Sequence, residues 1–134
     1  MRDEPAAEAR RRVLVADDNA LSATSLSLLL ELEGFEVATA LDGRQALERA
    51  REFQPDIALI DIGMPYLDGH EVARRIRAQD WGSSMLLVAL TGWSREQDRR
   101  DALAAGFDRH VSKPASLEQI LACFPAALTP GPTR

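Results

Sequence analysis

Five short apolar runs punctuate the chain, Val13 to Ala16, Phe35 to Thr39, Ile57 to Ile60, Met85 to Leu90 and Arg109 to Ser112, and each is followed by a segment of helical period. Such alternation predicts a parallel sheet with helices on its faces. Three of the runs are nearly continuous aliphatics, as strands buried on both faces must be. Four of the helical segments open with a capping residue followed three positions later by Glu or Gln: Asp42 with Gln45, Asp68 with Glu71, Ser94 with Gln97, and Ser116 with Gln119. Two segments close on glycine, at Gly34 and Gly106, where a left-handed backbone is cheap for a residue without Cβ. The first helix, from about Ala20 to Glu33, lacks the box. Its leucines, Leu26, Leu28, Leu29 and Leu30, predict a central, well-buried helix.

Short connections between five βα units require right-handed crossovers. The expected fold is therefore α/β, a flavodoxin-like doubly wound five-stranded parallel sheet of order 2-1-3-4-5 with five helices. In such a sheet the functional crevice lies beyond the carboxyl ends of the strands, where the order reverses between strands 1 and 3. The residues just past the apolar runs are Asp17 and Asp18 after strand 1, Asp61 after strand 3, Thr91 after strand 4 and Lys113 after strand 5. The edge strand 2 ends in Ala40 and Leu41. Polar groups thus gather at the four strands that flank the crevice.

Three carboxylates in one crevice repel, each pair by about 1 to 4 kcal/mol at ~4 Å. Lys113 supplies one positive charge, and a small divalent cation such as Mg2+, which takes oxygen ligands in octahedral geometry, is the natural partner for the rest. A carboxylate beside such an ion is able to attack phosphorus and form an acyl phosphate. Thr91 and Lys113 suit the product, as donors to phosphoryl oxygens.

Composition narrows the remaining classes. A chain of 134 residues with 46% hydrophobic and 28% charged residues is an ordinary globular domain. The net charge of −5 gives no general attraction to nucleic acid or to an anionic membrane. The basic run Arg10, Arg11, Arg12 reads as a solvated lead-in to the first strand. The single cysteine, Cys123, lies in an apolar stretch and is expected on a buried helix face. Met1 to Arg12 lacks the apolar core of a signal peptide. A cytoplasmic protein is expected, with a charged lead-in over 1–11, one domain over 12–128 and a flexible tail over 129–134.

The segments Val13-Leu-Val-Ala-Asp-Asp-Asn19, Ile60-Asp61-Ile-Gly-Met-Pro65 with Asp68-Gly69, Ala89-Leu-Thr91-Gly92 and Ser112-Lys113-Pro114 together resemble the receiver domain of two-component response regulators, over nearly the whole chain. The resemblance implies that Asp61 accepts a phosphoryl group from a histidine kinase or histidine phosphotransfer protein. It implies that Asp18 and the backbone carbonyl of Gly63 ligate Mg2+ directly, that Asp17 acts through water, and that the Lys113–Pro114 peptide is cis. It also implies a two-state response, read by a protein partner on the face of the fourth helix, fifth strand and fifth helix. Bonds from Thr91 and Lys113 at roughly 1.5 to 3 kcal/mol each approach the ~5.5 kcal/mol that shifts a population from 1:99 to 99:1.

Some positions depart from the common pattern. His110 stands where these domains usually carry Tyr or Phe, and is expected to take a rotamer coupled to Thr91. Gly63 and Trp93, two residues after Asp61 and Thr91, border the phosphoryl group and are expected to set its lifetime. His70 is expected to be an exposed residue. Ala115, with Gly106-Phe107-Asp108-Arg109-His110, looks more like receivers attached to or partnered with hybrid sensor kinases, and no output domain is expected after the fifth helix. Two other functions share the strand-end chemistry or the sheet order. A haloacid dehalogenase-like phosphohydrolase needs a general acid two residues after its nucleophile, where this chain has Gly63. An FMN-binding flavodoxin-like carrier needs a hydroxyl-rich phosphate loop after strand 1, where this chain has Asp17-Asp18-Asn19.

Overall fold

The computed structural model describes residues 11–64, 66–92 and 96–125. The strands are β1 (Arg12–Ala16), β2 (Glu36–Ala40), β3 (Ile57–Asp61), β4 (Leu86–Thr91) and β5 (Arg109–Ser112). The α-helices are α1 (Ala20–Leu32), α2 (Gly43–Phe53), α3 (Gly69–Arg77), α4 (Glu96–Ala105) and α5 (Leu117–Leu121), with a 3-10 turn at Asp80–Gly82. All four strand pairings are parallel and the order is β2-β1-β3-β4-β5, the arrangement the sequence predicts.

Alternation along the strands sends side chains to two separate cores. Val13, Val15, Ile57, Leu59, Val88, Leu90 and Val111 pack with Ala23 and Leu30 of α1 and with Ile120 and Phe124. Leu14, Ala16, Ala58, Ile60, Leu87 and Ala89 pack with α2, α3 and α4 through Ala46, Ala50, Val72, Ile76 and Ala102. Residues i and i+2 share a face of a strand, so one sheet serves both layers.

The caps form as expected where they are described. Asp42 accepts from the Gln45 N–H, Asp68 from the Glu71 N–H, and Ser116 and Gln119 complete a reciprocal box. The Ser94 cap lies outside the described residues. Gly34 and Gly106 have φ of 103° and 115°. Helix α1 has a cap that the box pattern does not reveal: the Asn19 side chain accepts from the Ser22 N–H at 3.0 Å.

Three expectations need correction. Helix α1 is not central and well buried, because only Ala23 and Leu30 are buried, with Leu26 partly buried against the same core, while Leu21, Leu28, Leu29 and Leu32 are 76%, 56%, 43% and 83% exposed. Cys123 lies in the turn after α5 and is only partly buried, its thiol donating to the Gln119 carbonyl at 3.6 Å. His70 is half-buried, with its ring edge-on to Phe107 at 6.4 Å.

Arg77, in the last turn of α3, ties three segments together at the end of the sheet remote from the strand-end carboxylates. Its guanidinium donates to the carbonyls of Gly106, Gly82 and Met85 at 2.9, 2.9 and 2.7 Å and to Asp108 Oδ2 at 2.7 Å. The same Asp108 oxygen accepts the Leu87 N–H. A charged donor that satisfies several carbonyls and a carboxylate at once holds their relative positions firmly.

Candidate functional site

Strand register brings the strand-end residues to one level. Asp61 and Thr91 are the last residues of β3 and β4, and Asp17, Asp18 and Lys113 follow directly on β1 and β5. The Asp17 N–H continues the sheet ladder to the Ala40 carbonyl at 3.0 Å, and the Lys113 N–H does the same to the Thr91 carbonyl at 2.7 Å. The carboxylates are therefore fixed by backbone pairing before any side-chain contact is made.

Asp17, Asp61 and Thr91 are buried, and Asp18 is exposed. One carboxylate oxygen from each of Asp17, Asp18 and Asp61 lies within 4.8 Å of the others. Lys113 Nζ stands 3.4 Å from Asp17 Oδ2 and 3.5 Å from Asp61 Oδ2. The Asp17 Oδ1 atom accepts the Asn19 N–H at 2.9 Å, and Asp61 Oδ1 accepts the Gly63 N–H at 3.3 Å. Three ionised carboxylates facing one ammonium leave two negative charges unmatched. That donor set, all oxygen, fits a small hard divalent cation.

The protonation equilibria record this imbalance. Burial raises the pKa of Asp61 above the usual carboxylate value, the Gly63 N–H and Lys113 pull it down, and Asp17 and Asp18 push it up again. Lys113 is pulled down by burial but raised on balance by Asp61 and Asp17. The lysine is thus held as a cation, and the carboxylate opposite it is ionised against resistance.

Every described residue of the expected site falls at or near this crevice except His110, which lies one level down β5, paired with Ala89. Its ring is half-buried, and its Nε2 atom is enclosed without a hydrogen-bond partner among the described residues. Trp93 lies outside the described residues. Gly63 is exposed, and a Cβ there would meet nothing within 4 Å. The Lys113–Pro114 peptide is cis. Two residues that the sequence reading quoted only as parts of the resembling segments, without a role, also contribute. Asn19 joins the acidic pair to the head of α1, and Gly69 lies so close to the Asp61–Ile62 backbone that a Cβ would sit 2.7 Å from Ile62 Cα and 2.8 Å from the Asp61 carbonyl oxygen.

Fold and crevice define a doubly wound α/β domain with a cation-seeking acidic centre at its topological switch point. Residues 13–124 match the family model of the response regulator receiver domain, and the chain belongs to that family. It is 43% identical over 117 residues to the transcriptional regulatory protein PrrA of Mycobacterium tuberculosis, a match covering 87% of this chain and 49% of that protein. The chain thus spans about half the length of the curated relatives it matches. Among solved structures it is similar to the chemotaxis response regulator CheY4 of Vibrio cholerae, with TM-score 0.80, 29% identity and coverage of 84% of this chain and 94% of that one. It is also similar to the receiver domain of a sensor histidine kinase from Pseudomonas aeruginosa, solved with a magnesium ion coordinated in its active site cleft. There the TM-score is 0.77, the identity 31% and the coverage 84% and 93%. Transcriptional regulators and sensor kinases both appear among the relatives, so Ala115 does not by itself identify the parent protein. No helix among the described residues is long and apolar enough to cross a membrane.

Proposed function

We propose that this domain accepts a phosphoryl group on Asp61 from a phosphohistidine of a histidine kinase or histidine phosphotransfer protein, in a Mg2+-dependent reaction. The observation that carries the reading is the juxtaposition of Asp17, Asp18 and Asp61 within 4.8 Å around a single lysine. Asp17, Asp18, Asp61 and the Gly63 carbonyl would hold the ion, whose chemistry is to neutralise charge on the transferring group. The Asp61 carboxylate attacks phosphorus, forming the O–P bond as the P–N bond to the donor imidazole breaks. Lys113, held as a cation, receives a phosphoryl oxygen and ceases to bridge Asp17 and Asp61. The Thr91 hydroxyl supplies a second donor.

Transfer of these two groups to the phosphoryl oxygens changes the tops of β4 and β5, and His110 lies between those strands and α4. A protein effector, or a parent hybrid kinase, reads the change on the α4–β5–α5 face. Gly63 borders the acyl phosphate and, with Trp93, sets its lifetime. The domain works over 12–128 in the cytoplasm, with no direct contact to nucleic acid or membrane. It promotes its own phosphorylation and dephosphorylation and turns over no separate substrate.

Acetyl phosphate with Mg2+ is expected to add one phosphoryl group to the wild-type chain and none to Asp61→Asn, read by intact-mass spectrometry. Equal incorporation in the variant refutes the assignment.

A further inference from the structure

On the sheet face opposite α1, a groove of about 370 Å³ lies between α2, α3 and the 3-10 turn. Leu47, Leu67 and Trp81 make its floor. They are half-buried and pack against the core beneath. Arg44 and Arg51 of α2 and Arg75 of α3 make its walls, all three with exposed side chains. Half-buried apolar groups under a polar rim are the make-up of a recognition site rather than of a solvated helix face.

The groove is a local excess of positive charge on a chain of net charge −5, since its three arginines stand against one lining carboxylate, Glu48. Arg75 is committed to Glu71, 3.0 Å away. Arg51 reaches Glu52 only at 3.9 Å, with both side chains exposed, a pairing that holds it weakly. Arg44 has no carboxylate partner among the described residues, and its guanidinium lies over the Tyr66 ring, 4.2 Å from the centroid. Stacking occupies the face of a guanidinium and leaves its in-plane donors free. Arg44 and Arg51 are therefore both able to receive a carboxylate.

Their spacing selects the shape of what they receive. Positions 44 and 51 share one face of α2 and lie about 10.5 Å apart along its axis. Glu48 lies between them on that face, so a compact anion drawn toward both would sit over a like charge. A peptide in polyproline II conformation places residues i and i+3 on one side, about 9 Å apart. Two acidic residues at that spacing meet the two guanidinium groups and pass Glu48 between them. A large apolar residue between the acids then supplies contact to Leu47, Leu67 and Trp81. A nucleic acid strand would carry its charges beyond the groove, onto a chain that is negative as a whole.

We propose that the α2–α3 groove docks an acidic segment of a partner protein, with two carboxylate residues three apart and a large apolar residue between them. The groove is formed by other elements than the α4–β5–α5 face, and the inference does not rest on the phosphotransfer reading.

Panning a displayed library of random dodecapeptides against the chain tests it. Peptides with two acidic residues three apart and Leu, Ile, Phe or Trp between them should be enriched. A synthetic member should bind at about 10 to 100 μM by fluorescence anisotropy, and more weakly as salt rises. Arg44→Glu/Arg51→Glu should weaken it at least tenfold at an unchanged melting temperature, while Arg44→Lys/Arg51→Lys should keep most of the binding. Amide shifts of the wild type on adding the peptide should cluster at Leu47, Leu67 and Trp81, which reads the site without any substitution. Absence of acidic enrichment, binding unaltered by the charge reversal, or shifts on another face overturns the proposal. So does polyuridylate that binds the groove more tightly than the selected peptides, or a concentration-dependent increase in mass that the charge reversal abolishes. Those two results would assign the groove to nucleic acid and to a second copy of the chain.

Discussion

Replacing Asp61 by Asn should stabilise the metal-free domain while abolishing its phosphorylation. The magnitude follows from the distances at the crevice. Repulsion of Asp61 by Asp17 and Asp18 at up to 4.8 Å amounts to about 1 to 3.5 kcal/mol for each pair, for an effective dielectric between 80 and 20. Attraction to Lys113 at 3.5 Å returns about 1 to 5 kcal/mol on the same scale. The net repulsion is about 0.5 to 2 kcal/mol, to which burial of the charge adds. In a domain of this size that raises Tm by about 2 to 8 °C.

The pH dependence fixes the sign independently. Asp61 has a pKa raised in the fold, first by burial, so the folded state holds its proton more tightly than the unfolded state does. The associated stability is present in full below the unfolded value of 3.8 and is lost as pH rises through the folded value. Asn does not titrate. The advantage of the variant should therefore be absent near the bottom of that window, grow as pH rises through it, and level off at neutrality. Thermal melts in EDTA across pH 4 to 8 measure the gap, and Mg2+ should narrow it by stabilising the wild type preferentially. A variant no more stable than wild type at neutral pH without metal, or a gap independent of pH, would refute the reasoning.

Two further perturbations bear on the frame, one at the end of the sheet remote from the site and one beside the acceptor. Arg77→Ala removes the donor shared by three carbonyls and Asp108 and should lower stability by about 3 kcal/mol or more, read as a shift in urea midpoint at unchanged slope; a shift equivalent to less than 0.5 kcal/mol would mean that water replaces the guanidinium freely. Gly69→Ala drives a methyl into the Asp61–Ile62 backbone and should destabilise by about 1 to 3 kcal/mol while slowing phosphorylation from acetyl phosphate, and an unaltered rate would show that this contact does not position the acceptor.

The strand-end carboxylates were legible in the sequence because a parallel strand buried on both faces is an unbroken aliphatic run, and a polar residue that ends it stands out. The same logic placed Thr91 and Lys113. Density without phase misled at α1: four leucines in five residues suggested burial, yet Leu28 and Leu29 point away from the core that Leu30 enters. Asn19 was missed because its partner three residues on is Ser22, which does not complete the recognised box although the Asn side chain caps the helix alone. Arg77 carries no local signal at all. A basic residue in a last helical turn is ordinary, and its value comes from carbonyls of loops up to 29 residues away.

The edge strand, which contributes no side chain to the crevice, nevertheless holds Asp17 through the Ala40 carbonyl. That tether is blind to side-chain identity. Any residue that fits the buried place at position 40 supplies the same oxygen, and Leu41 just beyond it is 40% exposed. Sequence beyond that edge is therefore free to drift toward new partners while the acidic pair keeps its place, so recognition is able to diverge without the chemistry having to be rebuilt.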